Sequence, residues 1–301
     1  MNTRRKKVGI FASFLLCMSL LAGCSEHSGK QQAEKIEGLD QLGTIKVISR
    51  EAGSGTRSVF AEKAHLNSDN KNNDTDNIRT DAVIAINADV VIEQVMSDKS
   101  AIGYISLGAI TENMDQIKVI GIDGVKPDKN SIGKGSYPLV RNINIAYSGK
   151  LTNAGNDFLN YILSAGQEVV SEKYTSVKNA TSFLSDQSKG SLTISGSSSA
   201  TPLLEELAET YNQKYNKRVK IQIQTSDSAS GLTAAMQGSV DWGVASRELK
   251  DYEKELLSYK NIAKDGVAVI VNKDNPTDTL TIQQLTEIFD GTDVLWEEVN
   301  E

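Results

Sequence analysis

Cysteine is almost missing from this chain: Cys17 and Cys24 are the only two, both near the start of its 301 residues. Cys17 lies inside an apolar leader, so the remainder can form no disulfide and offers neither a cysteine metal site nor a cysteine nucleophile. Histidine is equally scarce, with His27 and His65 alone. A Ser-His-Asp triad would have to use His65, which sits in a polar stretch and reads as a solvated surface residue. There is no basic surplus either: 32 Lys and Arg face 39 Asp and Glu, a net charge of −7. That argues against a nucleic-acid partner, which needs a basic face. It leaves a small anion open, because a few local donors in a dry cleft can bind one whatever the summed charge. The one long apolar run, Val8 to Ala22, is shorter than the roughly 20 residues a membrane-spanning helix needs. Nucleotide and metal motifs are lacking. Gly53-Ser54-Gly55-Thr56 has no P-loop Gly-Lys-Ser/Thr ending, there is no Gly-x-Ser-x-Gly elbow, and the Asn/Asp cluster at Asn67 to Asn77 lacks an EF-hand's glycine and closing glutamate.

What is present begins with a leader. Arg4, Arg5, Lys6 and Lys7 precede the apolar run, and small residues close it, the pattern of a secretory signal over residues 1–23. Its ending, Leu21-Ala22-Gly23-Cys24, resembles the lipobox of bacterial lipoproteins. That resemblance implies lipidation of Cys24 and a protein tethered outside the cytoplasmic membrane; an ordinary secretory cleavage is the alternative. Over the whole chain, 39% apolar and 24% charged residues are ordinary for a soluble protein, and the length beyond the leader suits one large or two ordinary domains. Residues 24–43 are polar and read as a flexible tether, with folded structure beginning near Thr44.

Ile45 to Arg50 alternates apolar and polar residues as a strand does, and Arg57 to Ala64 reads as a helix. Asn67 to Asn77 is a surface excursion. Asn87 caps a helix through Met96, and Ala101 to Leu107 is a short buried strand. Further strands are expected at Ile143–Tyr147, Leu192–Ile194, Arg218–Gln224, Val240–Ala245 and Val267–Asn272. Further helices are expected at Ala154–Leu163, Gln167–Lys173, Thr201–Tyr215, Ser230–Gln237 and Thr281–Phe289, with Gln187–Ser191 as a connector. Strands alternating with helices predict an α/β fold with mixed, mostly parallel sheets flanked by helices.

Three distant places share one chemistry, a strand followed by a Ser/Gly-rich turn and a helix start. They are Ser49 to Thr56, Gly196 to Ser199, and Ser226 to Gly231. Glycine permits close backbone approach, hydroxyls donate, and helix N-termini present unpaired N–H groups with partial positive charge. In parallel α/β sheets such junctions lie at the carboxyl ends of strands, where ligands bind. Three of them converging would hold a tetrahedral anion. Plain helix capping by Ser and Thr is the alternative at each. Arg50 favours binding at its own junction, since a fixed guanidinium suits bidentate anion recognition.

Ser49-Arg50-Glu51-Ala52-Gly53-Ser54-Gly55-Thr56-Arg57 resembles the signature of the phosphate-binding proteins of ABC phosphate importers. Ala101 to Gly108 and Gly135 to Leu139 extend the match, and in that family all three belong to the second half. First-half signatures occur later here: Gly196 to Leu203, Val240 to Leu249, Asp265 to Asn272, Ile288 to Gly291 and Trp296 to Val299. The resemblance therefore covers the mature chain in swapped order and implies a circularly permuted, two-lobed periplasmic-binding-protein-like fold of type II. A truncated or fused gene product is the alternative. Permutation predicts one lobe from residues 44–105 plus 269–301, carrying the Arg50/Ser54 junction. The other lobe would run from 106 to 268 and carry the Ser198 and Ser228 junctions. Strands near Ile102–Leu107 and Val267–Asn272 would cross between them, and Gln187–Ser191 would be the new joint.

By that resemblance, phosphate is held between the lobes. Arg50 is the charged clamp; Ser54, Gly55 and Thr56 donate from one lobe, and Ser198, Ser199 and Ser228 from the other. Where the family carries a proton-accepting aspartate, this chain has Ser246-Arg247, which puts the choice of phosphate over sulfate in doubt. Arg247 is either a second clamp, a bridge to Glu51, or part of a salt bridge. The implied protein is a lipid-anchored monomeric receptor, without cofactor or metal, that delivers inorganic phosphate to an ABC permease complex. A sensing or surface-interaction lipoprotein on the same fold is the alternative. An enzyme is not expected, because the junctions supply no general base or metal for turnover.

Overall fold

The computed structural model describes residues 36–67, 75–111 and 114–300. The signal, Cys24 and most of the expected tether lie outside them, as do residues 68–74 of the Asn/Asp excursion. The first described residues are not a tether. Leu39, in a 3-10 turn (Leu39–Gln41), is only 1% exposed and packs with Ile45 and Val47, with Ile36 and Leu42 against the same core. Apolar residues spaced three apart bring this segment into the fold before Thr44.

Strands and helices alternate from β1 (Lys46–Arg50), α1 (Gly55–Lys63), β2 (Val83–Ala85), α2 (Ala88–Ser97) and β3 (Ala101–Ser106) to β4 (Ile117–Val119) and β5 (Gly121–Ile122). Then come α3 (Lys129–Lys134), β6 (Val140–Tyr147), α4 (Asn153–Ile162), α5 (Gly166–Lys173), β7 (Thr175–Ser176), β8 (Gly190–Ser197) and α6 (Thr201–Lys214). The chain continues through β9 (Val219–Ser226), α7 (Ser228–Met236), β10 (Trp242–Ala245), α8 (Asp251–Leu256), β11 (Ser258–Asn272), β12 (Thr279–Leu280) and α9 (Ile282–Asp290). The Asn87 side chain caps α2 by accepting from Val90 N–H, as expected. Sequence pattern missed α3, α8, the first half of β11 and the short strands β2, β4, β5, β7 and β12, and the strand β8 begins inside the expected connector.

One mixed sheet runs β2-β1-β3-β11-β6-β10-β8-β9, with β4 and β7 also paired to β11. Strands β2, β1 and β3 are parallel at one end and β10, β8 and β9 at the other, while β11 is antiparallel to both β3 and β6. Four buried apolar clusters lie along this sheet among the described residues, and the two largest serve as its first and second cores. The first gathers Val59, Phe60, Tyr104, Val267, Val269 and Phe289, with the Phe60 and Tyr104 rings stacked 3.9 Å apart. The second gathers Ile143, Phe158, Leu204, Tyr211 and Trp242. Each such fully buried large side chain contributes roughly 1.5–3 kcal/mol.

The division between cores differs from expectation. Ile120, Ile122, Ile132, Tyr137 and Leu139 pack in the first core, so the chain passes to the second between Val140 and Ile143 and not at Ser106. Strand β3 stays with the first core. The strands that pass between the two are β11, with Ala263 in the second core and Val267 in the first, and β6, whose Val140 packs on the first and Ile143 in the second. A long-range assignment of this kind depends on which sheet edge a segment reaches, and local apolar spacing does not record it.

Candidate functional site

The carboxyl ends of β1, β8, β9 and β10 meet beside the crossing of β6 and β11, and the three Ser/Gly junctions come together there. Arg50, the last residue of β1, is 1% exposed. Its Nε and Nη2 donate to the two carboxylate oxygens of Glu51, each at 2.8 Å, and Nε also reaches the carbonyl of Ala85. Nη2 also donates to Ser198 Oγ, just after β8, at 3.0 Å. Arg50 Nη1 is buried with no hydrogen-bond partner among the described residues, a group whose desolvation costs about 1–3 kcal/mol or more while unmet.

Gly55 and Thr56 open α1 against the second core. A Cβ added at Gly55 would collide with the hydroxyls of both Ser228 and Ser246, so the glycine is what lets these elements approach. Thr56 Oγ1 donates to Ser199 Oγ at 3.5 Å. Ser246, fully buried after β10, accepts from Ser197 Oγ at 2.8 Å and from Ser199 Oγ at 3.1 Å. Its N–H donates to Ser228 Oγ at 3.1 Å. Gly53 carbonyl accepts from Ala229 N–H at 3.3 Å, a further link between the junctions. Gly196, at φ 147, lies so close to the Val244 carbonyl that no side chain fits between β8 and β10.

Ser54 and Arg247 are held differently from the other junction residues. Ser54 does what a helix cap does, accepting from Arg57 N–H at 3.4 Å, and Asp227 likewise caps α7 through Ser230 N–H. Arg247 turns away from the junctions. It donates to both oxygens of Glu253 at 2.8 Å and to the carbonyl of Glu248, so it is neither a clamp nor a bridge to Glu51. Burial alone would raise the Glu253 carboxyl; hydrogen bonds from Arg247 and the Lys250 N–H, with the Arg247 charge, outweigh it and hold the group below the usual range.

The centre of the cluster is a pair the sequence reading passed over. Arg141 on β6 and Asp265 on β11 face each other in register, 4% and 2% exposed. Arg141 Nη2 meets Asp265 Oδ2 at 2.7 Å, and its Nη1 donates to Thr56 Oγ1 at 2.7 Å. The signal was present: Arg141 shares strand parity with buried Ile143 and Ile145, and Asp265 with Ala263 and Val267. A charge in a buried register needs a partner. The junctions therefore assemble Arg50, Gly55, Thr56, Ser197, Ser198, Ser199, Ser228 and Ser246 around one arginine–aspartate pair. Such a set offers hydroxyl, guanidinium and helix-terminal N–H donors to an oxyanion.

Residues 28–165 and 181–299 match the family described as the PBP superfamily domain. Phosphate-binding protein PstS 2 of Streptococcus agalactiae is 38% identical over 303 residues, covering 99% of each chain. Phosphate-binding protein PstS 2 of Streptococcus pneumoniae is 39% identical over 299 residues, covering 98% of this chain and 99% of that one. A crystal structure of the phosphate-binding protein of a phosphate ABC transporter from Streptococcus pneumoniae superposes with a TM-score of 0.71. It has 38% sequence identity and covers 85% of this chain and 100% of the other.

Proposed function

The chain belongs to the PBP superfamily and, within it, to the PstS phosphate-binding proteins, and from that premise we propose that it binds inorganic phosphate at the junction cluster for import. The observation that carries the proposal is the 3.0 Å bond from Arg50 to Ser198, which joins the charged junction of the first core to a hydroxyl junction of the second. Hydroxyls that bond one another here turn their donors to an oxyanion when one enters. Charge-assisted bonds of about 1.5–3 kcal/mol each readily cover the ~8 kcal/mol of a micromolar site. The nearby carboxylates are engaged, Glu51 and Asp265 by arginine donors and Asp227 by the Ser230 N–H and hydroxyl, which favours binding over turnover.

The same proposal has the receptor anchored outside the cytoplasmic membrane through lipid on Cys24, handing phosphate to an ABC permease. The leader and its Leu-Ala-Gly-Cys ending support this, as do the importer proteins to which the chain is similar. It also includes circular permutation. Ile45 N–H donates to the Val294 carbonyl at 2.9 Å and Trp296 N–H to the Gly43 carbonyl at 3.0 Å, so the two segments that the unpermuted order would join lie side by side. Isothermal titration tests the ligand. The wild-type protein should bind phosphate, and Arg50→Ala should weaken that binding by about a hundredfold. Heat from sulfate and none from phosphate would overturn it.

A further inference from the structure

We infer that Arg141 is a second anion ligand of this site and that Asp265 and Ser106 position it; the inference rests on the phosphate-binding reading above. Arg141 and Asp265 stand opposite one another on β6 and β11, where both strands pass from one core to the other. Asp265 Oδ2 alone accepts Arg141 Nε at 2.9 Å and Nη2 at 2.7 Å, and also the Ser106 hydroxyl at 2.7 Å. Three donors on one oxygen fix the guanidinium plane and leave Nη1, with the second hydrogen of Nη2, directed to the other side.

That other side is the hydroxyl cluster. Nη1 donates to Thr56 Oγ1 at 2.7 Å and to Ser246 Oγ at 3.2 Å, and Nη2 donates to Ser199 Oγ at 3.2 Å. Thr56 belongs to the first core's junction, Ser199 and Ser246 to the second's. An arginine kept only for its ion pair has no need of three hydroxyl acceptors from two cores. Neutral hydroxyls are weaker acceptors for a guanidinium than an oxyanion, whose charge-assisted bonds are about twice as strong. A tetrahedral oxyanion at this point takes the Arg141 donors and receives the three hydroxyl hydrogens as well, so one ligand is gripped from both cores. Asp265 and Ser106 act through Arg141 and do not touch the anion.

The test combines calorimetry with nitrogen-15 NMR of arginine side chains on the full chain, using inorganic phosphate. The guanidinium resonance that Arg141→Lys deletes should shift on phosphate addition to the wild-type protein, and Arg141→Lys should weaken binding about tenfold or more. Asp265→Asn should broaden that resonance and weaken binding, and Asp265→Glu should restore part of both. If Arg141→Lys does not fold, Thr56→Val, which removes an Arg141 partner without stranding a charge, supplies the assignment. A resonance unmoved at saturating phosphate, or affinity kept within about threefold by a folded Arg141→Lys, overturns the inference. No phosphate binding by the wild-type protein overturns the functional reading itself, and this assignment with it.

Discussion

Arg141 and Arg247 are both buried and both paired to a carboxylate at 2.7–2.8 Å, the first on β6 and the second two residues past the end of β10. They differ in what their remaining donors meet. Arg247 spends its guanidinium on both oxygens of Glu253 and the Glu248 carbonyl, all within six residues of itself. Arg141 concentrates its pairing on one oxygen of Asp265, 124 residues away, and reaches hydroxyls of both cores with what is left. Burial and pairing describe an ion pair equally well in either place. The destination of the spare N–H groups is what marks a ligand site.

The widest effect should come from stranding each arginine in turn. Asp265→Ala and Glu253→Ala both leave a buried guanidinium without its carboxylate, and each should cost about 3–5 kcal/mol of stability by chemical denaturation. Only the Asp265 variant should also lose phosphate affinity by titration; equal losses of affinity would erase the distinction between the two pairs. Gly55→Ala comes next. Its methyl group meets the Ser228 and Ser246 hydroxyls, so phosphate affinity should fall about tenfold by titration and stability by about 1–3 kcal/mol by chemical denaturation.

A smaller effect is one of pH. The Glu253 carboxyl is held below its ordinary value of 4.5, so its pairing contributes fully above that value and is lost as pH falls through the depressed folded-state pKa. The stability difference between wild type and Glu253→Gln should therefore shrink on acidification below about pH 4.5, and a difference that grew would reverse the sign. The smallest expected effect is that of restoring the unpermuted order. Joining the C-terminal segment to Gly43 and reopening the chain near Ser188 should leave phosphate affinity within about threefold, because the joined segments already touch. A restored-order chain that folds but does not bind would count against permutation.

Much of the site can be read along the chain, for a physical reason. The junctions are local, each a strand end, a turn and a helix start within about eight residues, and Arg50, Ser198 and Ser228 follow from that pattern. Ser54 fits it too: its Oγ accepts the cap bond from Arg57 N–H, which uses the acceptor side of the hydroxyl alone. The Arg141–Asp265 pair escaped because neither residue lies in a glycine- or serine-rich turn and the two meet only through β6–β11 pairing. Arg247 misled in the opposite way. It follows Ser246 directly, yet the chain turning from β10 towards α8 sends its side chain to Glu253. Leu39 and the segment from Ile120 to Leu139 were misassigned because their burial is decided by distant partners, Ile45, Val267 and Phe289 among them.

The most direct test of the account is a crystal structure with phosphate bound. The anion should sit in contact with Thr56 from the first core, Ser199 and Ser246 from the second, and the Arg141 guanidinium, with Arg247 still paired to Glu253. Phosphate held by one core alone, or found beside Arg247 with Arg141 untouched, would contradict it.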